Sequence, residues 1–340
     1  MKHTVYGVDI AKAVFQLHSV DMTTGEIVSL KLKREKFLAH FVNRQPCLIG
    51  MEACGGAQHW ARELIKLGHT VKLLSGKFVK SFVMGNKSDA ADARAIWIAV
   101  QQPGVKPIAI KTEQQQAILA LHRLRQGLVK TRTMQINALR GLLTEYGVVM
   151  PKGKAGLRQG IGAALEAIAQ RLSVMVIDAL RDQWQRIGEL DKQIAEIEHK
   201  LQSWLKQDKA AKAIAAIPGV GLLTATAAVA MMGDAKVFKS GREFAAWAGL
   251  VPRQTGTGGK TRLLGISKRG DTYLRTLLIH GARCVLTNAK QPGAWVEELS
   301  KRRPSNVVVV ALANKMARTI WAMLAHDRPY QQGWITVKPG

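Results

Sequence analysis

The 340 residues are 47% hydrophobic, enough to bury the cores of two domains joined by a helical connection. Lys and Arg number 50 against 24 acids, a net charge of +26 that exceeds what solubility needs and points to a polyanionic partner, nucleic acid ahead of a membrane surface. Three cysteines with no CxxC pair (Cys47, Cys54, Cys284) argue against a zinc knuckle and fit a reducing cytoplasm, the start MKHTVYGVDIAKAVF reaches charge too early for a signal peptide, and no apolar run approaches about 18 residues, so no membrane span is expected.

In chain order, TVYGVDI, AVFQLHSVD and EIVSLKLKR read as three short strands, the last two by alternation. A short helix is expected near Glu35–Val42, a buried strand at CLIGME (47–52), and a helix in GGAQHWARELIKLG that ends on Gly68. TVKLLS (70–75) is a further strand, and SDAADARAIWIAV from Ser88 a helix. The order β-β-β-α-β-α-β-α is that of RNase H-like domains. Residues 102–111 read as loop, and a basic helix runs from about Thr112 to Tyr146 with Arg123, Arg125, Lys130, Arg132 and Arg140. PKGKAGLRQG (151–160) reads as a basic, Gly-rich break. A long helix follows from about Leu172 to Leu205, whose apolar residues recur in steps of three and four as in a coiled-coil seam. That seam suits self-association or packing within its own domain.

From Lys209 a new unit begins. AIAAIPGVGLLTATAAVAMMG predicts helix, turn and helix; VFKSGREFAAWAGL, DTYLRTLLIHGARCVL and NVVVVALANKMARTIWAMLA predict helices; VPRQTGTGGKTRLLGISKRG (251–270) reads as irregular, Gly-rich and basic. The expected domains are 1–105 (α/β), 106–207 (helical, coiled-coil) and 208–330 (mostly helical).

Four carboxylates stand out. Asp9 ends the first strand, Glu52 ends the fourth, and Asp89 and Asp92 lie three apart on one face of a helix that Ser88 can cap. Acids converging at a sheet edge repel unless cations neutralise them; two Mg²⁺ about 4 Å apart would do so and clamp a phosphate. Asp89 and Asp92 also suit the helix dipole. An unpaired carboxylate at the end of an apolar strand, as at Glu52, is harder to explain structurally.

IPGVGLLTA is similar to a helix-hairpin-helix, in which Gly219 and Gly221 let backbone N–H groups approach a phosphate, although an ordinary tight turn reads the same way. Arg253, Lys260, Arg262, Lys268, Arg269 and Arg275, against the single acid Asp271, suggest a phosphate-binding surface that docks next to the metal site, or a solvated basic loop.

GVDIAK, MEACGG and NKSDAADARAI together resemble the acidic tetrad of the DEDD-type insertion-sequence transposases, relatives of pilin-gene invertases with a RuvC-like first domain. PGVGLLTA, FAAWAGLVPRQ and TGTGGKTRLLGISKRGDTYLR resemble their C-terminal transposase domain, so the resemblance covers nearly the whole chain. It implies DNA recombination that mobilises an insertion sequence, with Asp9, Glu52, Asp89 and Asp92 on Mg²⁺, and a hydroxyl nucleophile where relatives carry serine. Here Thr257 falls on that position, with Ser267, the one serine in the segment, as the alternative; a metal-bound water or a DNA hydroxyl is the third option. Some members of the family are guided by a structured RNA from their own element, so the resemblance extends to a guide RNA with the basic helix as its seat; strand exchange needs several active sites, so a dimer or tetramer is expected. A junction-resolving nuclease with the same tetrad, and a non-catalytic basic nucleic-acid-binding protein, are the alternatives.

Overall fold

The computed structural model describes residues 4–86 and 88–331. Lys87, in the NKSDAADARAI stretch, lies outside the described residues. The chain divides into two compact units, Met1–Thr112 and Glu113–Gly340.

The first unit is built on a five-stranded sheet. β1 (Val5–Ile10), β2 (Val14–Val20) and β3 (Ile27–Lys33) form an antiparallel meander, and β4 (Leu48–Glu52) and β5 (Thr70–Leu74) add in parallel beyond β1, giving the order β3-β2-β1-β4-β5. Between and after them lie α1 (Phe37–Val42), α2 (Ala57–Lys66), the single turn α3 (Gly76–Val79) and α4 (Asp89–Val100). Alternation along the strands sorts the side chains between the two faces. Tyr6, Val8, Phe15, Leu17, Ile49 and Met51 pack against Phe37 and Phe41 of α1 and Trp60, Ala61 and Leu64 of α2. On the opposite face, Ala95, Ile96, Ala99 and Val100 of α4 pack with Val5, Leu48 and Leu74.

The second unit opens with α5 (Glu113–Glu145), α6 (Gly153–Ala169) and α7 (Val174–Gln207). α5 and α7 run antiparallel. Arg125 Nη2 meets Glu198 Oε1 at 2.6 Å and Arg132 Nη1 meets Asp191 Oδ1 at 2.6 Å, so a step of seven up one helix is a step of seven down the other. The apolar seam of α7 is filled from within the chain. Ile194 is buried, Ile197 and Leu201 pack with Ile118 and Leu119 of α5, and Ile177, Leu180 and Ile187 pack with Leu139 and Leu143 of α5 and with α6. The expected break at 151–160 is corrected: α6 starts at Gly153, because Leu157, Ile161, Leu165 and Ile168 present one apolar face that packs in the same cluster as α7.

α8 (Lys209–Ile214), α9 (Leu222–Met232), α10 (Gly241–Trp247), α11 (Thr272–Asn288), α12 (Ala294–Arg302) and α13 (Ser305–His326) enclose a core that includes Phe244, Leu274, Leu278, Ala313, Met316 and Ile320. Among the described residues α13 alone is long and apolar enough to cross a membrane by length and composition, although Asn314, Lys315 and Arg318 break its apolar run. Its buried side chains belong to this core. The stretch 251–270, expected to be irregular, holds a β-hairpin: β6 (Pro252–Thr257) pairs antiparallel with β7 (Lys260–Ile266). Gly258 (φ 56°) and Gly259 (φ 78°) form the two-residue turn, and two consecutive positive φ values favour that glycine pair.

Candidate functional site

The acidic edge of the first unit follows from β1 and β4. Their parallel register pairs Gly7 with Gly50 and Val8 with Met51, so the next step brings Asp9 level with Glu52. Residues two apart share a face, which puts Asp9 with Gly7, and Glu52 with Gly50, on the side covered by α4. A Cβ on Gly7 would strike the Ala93 carbonyl and the Trp97 amide, and a Cβ on Gly50 would lie 2.7 Å from Val100 Cβ. α4 thus lies directly on β1 and β4. Ser88 caps it, its Oγ accepting from the Ala91 amide at 3.2 Å, and this fixes Asp89 and Asp92 in the first turn. The acids sense one another. Burial, then the charges of Asp92, Asp89 and Glu52, raise the Asp9 carboxyl above its ordinary value.

Cys54 and Gln16 join this edge and were missed in the sequence. Cys54 Sγ lies 3.9 Å from the Ile10 carbonyl, and burial followed by the Glu52 and Asp9 charges raises its thiol. Gln16 pairs with Asp9 across β1 and β2; its Nε2 donates to Ser29 Oγ at 2.9 Å, while its buried Oε1 has no donor among the described residues. The alternation of VFQLHSV, with Phe15 and Leu17 on one face and Gln16 on the other, carried that signal.

The donor chemistry fits a hard divalent cation: carboxylate oxygens, with the orphaned Gln16 Oε1 on the neighbouring strand, and no ion pair to any of the four acids among the described residues. As placed, no three His, Cys, Asp or Glu side chains among the described residues are drawn together into a coordination shell. The Glu52 carboxylate lies instead against Gly76, where any Cβ would collide with it.

In the second unit the cations divide by circumstance. On α5, Arg123 and Lys130 are exposed, whereas Arg125 and Arg132 are paired with α7 and Arg140 Nη2 donates to the Met150 carbonyl at 3.2 Å. Arg253, Lys260 and Arg262 stand exposed on the hairpin, and Thr257 occupies its tip. Lys268 and Arg269 are exposed beyond its base. Ser267 lies at that base, half-buried, its amide donating to the Val251 carbonyl at 2.8 Å. The expectation of a phosphate contact at Arg275 is corrected. Its side chain is buried, with Nη1 donating to the carbonyls of Ala248 (3.1 Å) and Arg269 (3.4 Å) and Nη2 to Thr272 Oγ1 (3.1 Å). Gly219 is corrected likewise: its Cβ position is 2.7 Å from the Gly281 carbonyl, so it serves close packing on α11. Gly221, in contrast, faces open space at the N-terminus of α9.

Residues 6–148 match the DEDD family of IS110 transposases, and residues 211–295 match the transposase IS116/IS110/IS902 family. The chain is 43% identical over 332 residues to a probable family 20 transposase of Pseudomonas aeruginosa, covering 96% of this chain and 98% of that protein. It is 39% identical over 333 residues to the transposase for insertion sequence element IS1111A of Coxiella burnetii, covering 97% and 92%. It is 24% identical over 361 residues to the pilin gene-inverting protein of Moraxella lacunata, covering 98% and 99%. The chain belongs to the IS110/IS116 family of DEDD transposases, which are DNA-cutting enzymes.

Proposed function

We propose that the chain cuts and rejoins DNA to move its own insertion sequence, with Asp9, Glu52, Asp89 and Asp92 as the metal-binding tetrad. The observation that carries this reading is the β1–β4 register, which brings Asp9 level with Glu52 on the face covered by α4, whose first turn holds Asp89 and Asp92; burial and then the charges of those three acids raise the Asp9 carboxyl. The sheet order β3-β2-β1-β4-β5, with α4 across its face, supports an RNase H-like, RuvC-like reading of the first unit. Two Mg²⁺ ions held there would supply neutralisation of the phosphate charge and of the attacking and leaving oxygens.

Thr257 is the candidate nucleophile, since a hydroxyl at the tip of an exposed two-stranded arm meets a phosphodiester without burying the arm. Its Oγ would bond to phosphorus as the bond from phosphorus to a deoxyribose oxygen breaks, the threonine proton being lost and the departing sugar oxygen gaining one. Ser267, at the base, is less well placed to reach a duplex. Arg253, Lys260 and Arg262 would grip the backbone on either side. α8, the turn and α9 serve as a helix-hairpin-helix through Gly221 and the free amides of α9. α5 and α7 form an intramolecular coiled coil, and the exposed cations Arg123 and Lys130 on α5 would hold a structured guide RNA from the same element. Domain limits of 1–105, 106–207 and 208–330, and a dimer or tetramer that supplies the active sites strand exchange needs, complete the proposal.

The test is strand exchange with the native flanking DNA, after sequencing any RNA that copurifies. Asp9→Ala should abolish cleavage and retain DNA binding; cleavage that survives removes the metal-site reading. Thr257→Ala should abolish a covalent protein–DNA adduct. Cleavage without any adduct in the parent protein would instead favour a junction-resolving nuclease.

A further inference from the structure

We infer that Tyr273 and His122 are positioning residues that seat the base of the β6–β7 hairpin on α5 and α9. The inference rests on the proposal that this hairpin carries the strand-transfer hydroxyl.

Three hydrogen bonds run in one direction through the interior. Thr226 Oγ1 lies 2.7 Å from the Leu222 carbonyl, which can only accept, so the threonine proton is committed there. His122 Nε2, 3.0 Å from the same Oγ1, must then be the donor. That leaves Nδ1 of a neutral imidazole bare, and Tyr273 Oη donates to it at 2.9 Å. His122 is 1% exposed, so no water replaces a lost partner without opening the core. The chain of bonds links α11 (Tyr273), α5 (His122) and α9 (Thr226).

Tyr273 stands in the first turn of α11, where the hairpin ends. The two legs of the hairpin meet just before it: the Lys268 amide donates to the Gly249 carbonyl at 3.1 Å, and Arg275 clamps the Ala248 and Arg269 carbonyls from the same turn of α11. Lys268 holds a positive φ of 51°, rare for a side chain of that kind, so this base is locked into one shape. Arg275 fixes the legs to α11, and Tyr273 and His122 fix α11 to the two other helices.

A nucleophile, a base within hydrogen-bond reach and a third group that orients the base is also the signature of covalent catalysis. The electrostatics rule that out for Tyr273. Burial, with Arg125 adding to it, lowers His122 to about 4, and burial raises Tyr273 above the ordinary phenol value of 10.0. Moving the proton along the bond is therefore uphill, and the bond holds position.

The experiment uses the full chain with DNA and any copurified RNA. Tyr273→Phe keeps the ring and deletes the donor. His122→Gln keeps a donor toward Thr226 and loses the acceptor facing Tyr273. Strand exchange is measured against DNA concentration in both single variants and the double, with thermal midpoints as the folding control and hydrogen exchange over 252–271. The expected result is a fall of about tenfold or more in the saturating rate, with half-saturating DNA within about twofold of the parent. Protection of the 252–271 amides should fall in both singles, and the double should lose no more than either. Parental activity and protection in Tyr273→Phe, a shift in half-saturating DNA alone, or losses that track the folded fraction would overturn the inference. If Thr257→Ala retains full exchange, the reading of the hairpin fails separately, and the protection measurement alone then decides the positioning.

Discussion

Gly7 and Gly50 face each other across the β1–β4 ladder, directly beneath α4. The two residues that follow each at the next same-face position are the acids Asp9 and Glu52, while Asp89 and Asp92 ride on the helix above. The spacing between strand acids and helix acids is therefore set by the absence of two side chains. Gly50→Ala would push on Val100, a side chain that can shift, and should cost about 1–3 kcal/mol. Gly7→Ala meets backbone at Ala93 and Trp97 and should cost more. Urea unfolding checks the order, with Gly55→Ala, which meets nothing, as control. Cleavage by folded Gly50→Ala protein should fall further than the stability loss explains.

A raised carboxyl at Asp9 gives a signed pH dependence. Because its folded value lies above its unfolded value, the charged form strains the fold. The strain is absent below the ordinary value of 3.8 and fully present above the raised folded value. With metal chelated, Asp9→Asn should raise the thermal midpoint at neutral pH, and the gain should vanish in acid. Adding Mg²⁺ should stabilise the parent and leave the variant unmoved. A midpoint that Asp9→Asn lowers at neutral pH in chelator would refute the mutual repulsion.

The cations of α5 should separate into two kinds. Asp191 is pushed up by burial, but hydrogen bonds from Lys154 and Arg132 prevail and hold it below 3.8. Its contribution is present above that value and is lost as pH falls through the lowered one. Arg132→Ala should cost about 0.5–1 kcal/mol near neutrality and less in acid. Arg123→Ala and Lys130→Ala should leave stability alone and weaken nucleic-acid binding, as gel shift and denaturation together would show.

Salt dependence should distinguish two arginines that are close in sequence. Arg262, exposed on β7, is free to meet a phosphate, and its alanine variant should flatten the log–log salt slope by about 0.9 for each phosphate that the side chain neutralises. Arg275→Met should leave the slope of the folded protein unchanged and lower its stability, because its guanidinium is committed to internal acceptors. A slope change with Arg275→Met would return that residue to the nucleic-acid surface.

The sequence disclosed the sheet and its acids because strand alternation and a capped helix with paired acids are local signals. It misread 151–160 because the glycines at 153, 156 and 160 hide a helix whose stability comes from the packing of Leu157, Ile161 and Leu165. The hairpin at 252–266 is exposed nearly throughout, so it lacks the apolar alternation that marks a strand; Gly258-Gly259 was its one sign. Periodicity showed that α7 has a partner but could not name α5. The fates of Arg275 and Gly219 were invisible, since charge and flexibility look alike whether they serve a ligand or the chain's own interior.

Under the role proposed above for Thr257, the exposed hairpin would work as a lever. At about 3.3 Å per residue, the span from Pro252 to Thr257 is roughly 17 Å, so a tilt of about 3° at the base swings the threonine hydroxyl by about 1 Å. A displacement of that size is enough to cost an in-line reaction about a hundredfold. Selection for accurate joining would therefore act hardest on residues far from the DNA, at the fulcrum, while the tip stays free to vary with the sequences it must meet.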